Sequence, residues 1–174
     1  MTCGPFANVR ASKLEEMLDV NLYQLEMIIH AFLPSLIKRE KAGKRSAIIA
    51  TSSSSCLHYF PNNLVYTATK AFVTQLCQGI ASELKQKGSL IDLHCTVPFA
   101  TKTNIVNHWG MDLVGTPVGK AVNVWLRDLG HWDLSYGTKS NEIFARGYFG
   151  AFSRNFEPVF NFTTAKCFQM IKFN

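Results

Sequence analysis

The sequence predicts an α/β domain in which short apolar strands alternate with long helices and pair in parallel. Three observations carry this. Ala47–Thr51 and Ile91–Val97 are apolar runs of strand length, two longer stretches repeat apolar residues every three or four positions, and the order is helix, strand, helix, strand. Right-handed crossovers would then set both helices against one parallel sheet. Ligands are expected beyond the carboxyl ends of the strands, where Ser53 and Pro98 lie.

Each element has its own signal. Ser12-Lys13-Leu14-Glu15 reads as a capping box, and Leu18, Leu22, Leu25, Ile29, Phe32 and Leu36 form the apolar stripe of the helix that follows, with Pro34 expected to kink its last turns. The strand at Ala47–Thr51 is expected to be buried on both faces and is ended by Ser52 to Ser55. After the break at Pro61-Asn62-Asn63, a second helix runs from Leu64 to about Gln86, with Ala68, Phe72, Leu76, Ile80 and Leu84 on one stripe and Gly88 as its stop. Pro98 closes the next strand, because it cannot donate to a ladder. Thr116-Pro117 reads as cap and first helical residue of a third helix, with Val118, Val122, Trp125 and Leu129 on its apolar face and Gly130 as its end. A last strand is expected within Trp132 to Tyr136. Beyond Gly137 the chain turns aromatic and irregular, and no element is assigned there.

Composition narrows the class. A chain of 174 residues with 47% hydrophobic and 17% charged residues suits one globular domain, and it contains no uninterrupted apolar run of about 20 residues that would span a bilayer. Met1 to Ala11 have neither the basic start nor the apolar stretch of a leader, so an intracellular setting is expected. Five cysteines without a CxxC pair argue against a disulfide framework and a zinc knuckle, and His58, His94, His108 and His131 lack metal-ligand spacing. No metal is expected. The net charge of +6 is concentrated at Lys38-Arg39-Glu40-Lys41 and Lys44-Arg45, at a helix end where the macrodipole favours cations. No aromatic interleaving accompanies it, so no nucleic-acid partner is expected.

The chemistry-bearing residues are Ser53, Tyr66 and Lys70. Reduction of a ketone needs hydride at carbon and a proton at oxygen, and a tyrosine beside the carbonyl is a suitable acid. An ammonium one helical turn away stabilises the phenolate, and a serine hydroxyl can hold the carbonyl as charge develops on oxygen. A Tyr-x-x-x-Lys pair alone is weak, with roughly a one-in-three chance of arising by accident in a chain like this. Ser53 has an ordinary alternative as a strand-end cap, with Ser52 or Ser54 in its role if the register differs, and Asn21 has one as a locally bonded helical residue.

The ordered set is more specific: Leu18-Asp19-Val20-Asn21, Ile49-Ala50-Thr51-Ser52-Ser53, Tyr66-Thr67-Ala68-Thr69-Lys70-Ala71-Phe72, and Val97-Pro98-Phe99-Ala100-Thr101-Lys102-Thr103. Together these motifs resemble the short-chain dehydrogenase/reductase family. Within it the chain looks most like the branch of 17-beta-hydroxysteroid dehydrogenases and very-long-chain 3-ketoacyl-CoA reductases. The resemblance implies a catalytic tetrad of Asn21, Ser53, Tyr66 and Lys70, with Asn21 fixing a helix and a water that leads to Lys70. It also implies cofactor contacts from Tyr66, Lys70, Pro98, Thr101 and Thr103, and reduction of a steroid-like or 3-ketoacyl ketone by NADP(H) or NAD(H). Phe99 departs from the Pro-Gly usual in the family.

The resemblance runs from about Ala11 to Gly137, which corresponds to the second half of the family domain. Residues 1–174 are accordingly expected to form one partial domain, family-like over 1–137 and aromatic-rich over 138–174, with the fold of the C-terminal half of a doubly wound, Rossmann-like sheet. Gly4 is the only glycine before Gly43, so the Gly-x-x-x-Gly-x-Gly turn that receives the cofactor pyrophosphate is absent. A chain acting alone is therefore expected to bind a cofactor poorly or not at all. Its open strand at Ala47–Thr51 is expected to be covered by a second copy or a partner chain. The rival expectation is a catalytically inactive structural subunit of a larger assembly. The aromatic segment is expected to line a core or dimer interface, with contact to a membrane or acyl chain as the alternative. Placement is expected to be cytoplasmic or associated with the endoplasmic reticulum.

Overall fold

The computed structural model describes residues 4–104, 115–143 and 145. Helix α1 (Ala11–Leu18) runs through a π-helical turn (Asp19–Tyr23) into α2 (Gln24–Lys41), followed by strand β1 (Ser46–Thr51) and a 3₁₀ turn (Ser54–Leu57). Next come α3 (Leu64–Gln86), β2 (Ile91–Thr96), α4 (Val118–Asp128), β3 (Leu134–Ser135) and α5 (Lys139–Ile143). The three strands pair in parallel in the order β1-β2-β3. The expected parallel α/β architecture is present. The aromatic segment from Phe144 onward, like His108, lies outside the described residues, Ala145 excepted.

The core lies on one face of the sheet. Ala50 of β1 and Ile91, Leu93 and Cys95 of β2 meet Ile29 from α2 and Val73, Cys77, Ala81 and Leu84 from α3. Alternation along a strand sends these residues to one side and their neighbours to the other. On β2 the opposite side is also buried: His94 is 1% exposed, and its Nδ1 stands 2.6 Å from the Trp132 carbonyl oxygen. On β1 it is open, with Ile49 45% exposed. The expectation of a strand buried on both faces is therefore corrected. The described helices pack against the Ala50 side, and none covers Ile49.

The edge of β1 is open as well. Ser46 N and Ser52 N donate to Leu90 O and Thr96 O of the β2 segment, so the alternation of a parallel ladder turns the amides and carbonyls of Ala47, Ile49 and Thr51 away from β2. Among the described residues no strand pairs with that edge.

Helix α3 begins at Leu64 and ends at Gln86, as the sequence predicts, and Gly88 at φ 65° turns the chain so that Ser89 N donates to Leu84 O. Its buried stripe is Thr69, Val73, Cys77, Ala81 and Leu84: Leu84 is as predicted, the other four lie one position on from the predicted residues, and Ala68 is exposed. Near the start of the helix the buried face also holds Thr67, Thr69 and Thr74, which counting apolar residues does not detect.

At the other helices the capping signals mislead. The N-cap of α1 is Arg10, and Ser12 lies inside the helix. The α4 cap is Pro117, while Thr116 pairs with Thr101 in an isolated parallel bridge and donates from its hydroxyl to Asn141 Oδ1 at 3.2 Å. On α4 it is Ala121 that is buried, whereas Val118 and Val122 are exposed.

The segment Ala11–Lys41 is long and apolar enough to cross a membrane, which a search for an uninterrupted apolar run does not detect. Ile29 is buried against the sheet, and Leu25, Leu33 and Leu36 pack beside it. Leu18 and Phe32 of the predicted stripe are exposed, as are Tyr23, Met27, Ile28 and Ile37. The helix thus carries apolar residues on both its sheet-facing and its outward sides.

Candidate active site

The carboxyl ends of β1 and β2 meet the first turns of α3, and four consecutive serines make the junction. Ser52 is 2% exposed; its Oγ lies 2.8 Å from the Lys70 carbonyl oxygen and 2.7 Å from Thr74 Oγ1, which is itself 3.0 Å from the same carbonyl. With one proton each, one hydroxyl donates to the carbonyl and the other to its neighbour. This pair fastens α3 to the end of β1. Ser53 caps the 3₁₀ turn, its Oγ accepting from Ser55 N at 3.3 Å. Ser54 N donates to Pro98 O at 2.9 Å and so joins this turn to the end of β2.

Tyr66 and Lys70 stand one turn apart on α3, with Lys70 Nζ 5.7 Å from the Tyr66 ring centroid. Burial pushes the phenol above its ordinary pKa, while the nearby hydroxyls of Ser53 and Ser55 favour its anion and offset part of that rise. The phenol is therefore protonated at neutral pH. Burial lowers the Lys70 pKa, and its ammonium donates to the Thr51 carbonyl oxygen at 3.1 Å, an outward carbonyl of β1. Desolvation is the largest influence on the phenol, and Lys70 Nζ lies over the ring while donating to the strand end.

Asn21 occupies the π turn between α1 and α2, a local widening common at functional sites. Its Nδ2 donates to Thr69 Oγ1 at 3.1 Å, and Thr69 Oγ1 lies 2.8 Å from the Tyr66 carbonyl oxygen. Asn21 therefore ties to the helix that carries Tyr66 and Lys70 through Thr69. Pro98 is half-buried beside the serine turn. Thr101 is half-buried, with Oγ1 3.3 Å from Phe99 O, and Thr103 is exposed farther along the same loop. Ser53, Tyr66, Lys70 and Pro98 are thus gathered at one strand end, with Asn21 one layer behind them. Sequence reasoning missed Ser52, Thr69 and Thr74 as the residues that hold the cluster. Their signal was polar residues at helix positions facing a strand end.

A family model described as short chain dehydrogenase matches residues 1–113. The chain belongs to that family. Among curated proteins it is 27% identical over 100 residues to human inactive hydroxysteroid dehydrogenase-like protein 1, covering 58% of this chain and 28% of that protein. The chain thus spans well under half the length of this relative. Among solved structures it superposes on a 7beta-hydroxysteroid dehydrogenase with a TM-score of 0.74 at 18% identity, covering 88% of this chain and 59% of that one. It superposes on a serine dehydrogenase complexed with NADP+ with a TM-score of 0.51 at 26% identity, over 56% of this chain and 37% of the other. The family and its hydroxysteroid dehydrogenase-like relatives agree with the resemblance drawn from the motifs.

Proposed function

We propose that this chain carries the proton-transfer half of a ketoreductase site, which acts on a steroid-like or 3-ketoacyl ketone with NADP(H) or NAD(H) when the nucleotide-binding strands of the domain are supplied. The observation that carries this reading is a protonated, half-buried Tyr66 beside Ser53 and Lys70 beyond the strand ends. Tyr66 gives its proton to the ketone oxygen. Ser53 holds that oxygen, Lys70 meets the nicotinamide ribose and offsets charge on the phenolate, and Asn21 steadies α3 through Thr69. Pro98, Thr101 and Thr103 would contact the nicotinamide end, where the reduced ring supplies hydride. Calorimetry with NADPH and NADH on the 174-residue chain tests the cofactor requirement. Micromolar binding followed by loss of turnover in Tyr66→Phe supports the reading, and retained turnover in that variant defeats it.

A second reading rests on the open β1 edge, the exposed Ile49 and the inactive human relative. In it the chain is a structural subunit whose edge and outward apolar helix face are interfaces with another chain, and the serine–tyrosine cluster only braces the fold. Absence of binding by the folded chain alone fits both readings; absence of nucleotide binding once the nucleotide-binding strands are supplied favours this second one.

A further inference from the structure

All four serines at the β1 end make a bond through hydroxyl or amide, but the Ser55 hydroxyl has no partner. Ser52 holds the Lys70 carbonyl, Ser53 caps the turn, and Ser54 joins the turn to Pro98. Ser55 contributes its amide to Ser53 Oγ, yet its own hydroxyl is buried without a hydrogen-bond partner. A buried hydroxyl left unpaired is disfavoured, and strain, a bound water or a role at the site accounts for it. The Ser55 hydroxyl, in company with that of Ser53, favours the anion of the Tyr66 phenol. The 3₁₀ turn that carries Ser55 packs against α3, which carries Tyr66, and the Ser55 hydroxyl makes no formed bond there. Lys70 is the charged group over the same ring.

We propose that Ser55 is a positioning residue for Tyr66, whose buried hydroxyl turns onto the phenol oxygen when Ser53 is drawn to the substrate ketone. This rests on Tyr66 being the acid. In the step, hydride passes from the reduced nicotinamide to the carbonyl carbon, and the Tyr66 proton passes to the carbonyl oxygen, leaving a phenolate. Ser55 loses no proton; it donates one hydrogen bond to that phenolate. A site with Ser53 alone would have to divide one hydroxyl proton between ketone and phenolate, and a second serine removes the conflict.

The test reads the phenol directly and needs no turnover. The full chain is labelled at the tyrosine Cζ carbons, Tyr66 is assigned by the signal lost in Tyr66→Phe, and its titration is followed by NMR. Ser55→Ala should raise the Tyr66 midpoint by about half a pH unit, the scale of one modest hydrogen bond. Ser55→Thr should restore it, and Ser53→Ala should add its own rise in the double variant. Thermal stability of Ser55→Ala should be unchanged or raised, since no formed bond is lost. If Ser55→Ala does not fold, Ser55→Cys, close in volume and a weaker donor, should show a rise in the same direction. A midpoint unmoved by the variant that folds, or a Ser55→Thr midpoint displaced as far as that of Ser55→Ala, overturns the inference. Nucleotide calorimetry fails or succeeds independently of this result.

Discussion

At Tyr66 and Lys70, burial acts in opposite directions on two groups one turn apart. Lys70 has a folded pKa below its unfolded value of 10.5, so the folded state binds fewer protons than the unfolded state in that window. Its contribution therefore opposes folding at neutral pH, and the penalty fades as pH rises toward 10.5. Tyr66 has a folded pKa above 10.0, so its neutral form favours the folded state, and stability is lost as pH climbs past 10.0. Lys70→Met should accordingly flatten the rise in stability between neutral pH and pH 10, as read by denaturant unfolding at several pH values. An unchanged slope would mean that the Lys70 ammonium is as well solvated folded as unfolded. Of these two residues the sequence revealed type and spacing. It did not reveal that Nζ would take the Thr51 carbonyl, because that depends on where a strand end stops relative to a helix.

At the scale of the element, α3 owes its placement to side chains that bond to backbone carbonyls. Ser52→Ala removes the link between β1 and the Lys70 carbonyl and leaves Thr74 to serve it alone; a loss of about 1–2 kcal/mol is expected in urea unfolding. Asn21→Ala should cost less, about 0.5–1.5 kcal/mol, because Thr69 keeps its bond to the Tyr66 carbonyl. Gly137 is a separate case: at φ 85°, with a built Cβ 3.4 Å from Trp125 Nε1, Gly137→Ala should lose about 1–2 kcal/mol and alter Trp125 fluorescence. The bounds of α3 and the parallel pairing of β1 with β2 were legible because periodicity and strand length report on local burial. The π turn at Asp19–Tyr23 and the buried threonines at the start of α3 were not, since hydroxyl residues that bond to backbone carbonyls are ignored by apolar counting. The Ser12 capping box failed for a related reason: the spacing was right, but the chain enters helix at Ala11, ahead of the serine.

For the whole molecule, the open edge of β1 and the outward apolar residues of α2 are the features that most need a counterpart. Unpaired amides and carbonyls beside an exposed apolar side chain favour pairing with another strand. Ile49, at 45% exposure, sits in the middle of that strand. If another copy covers the strand, Ile49→Lys should shift the chain toward monomer in sedimentation velocity while leaving its helical circular dichroism intact. If the nucleotide-binding strands of a fuller domain are the natural cover, the chain should sediment as a monomer before and after the change, and supplying those strands as a second polypeptide should give a stable pair that Ile49→Lys weakens. A chain that stays monomeric and gains nothing from the added strands would leave the β1 edge without a role in assembly, and the structural-subunit reading would then rest on the outward face of α2 alone.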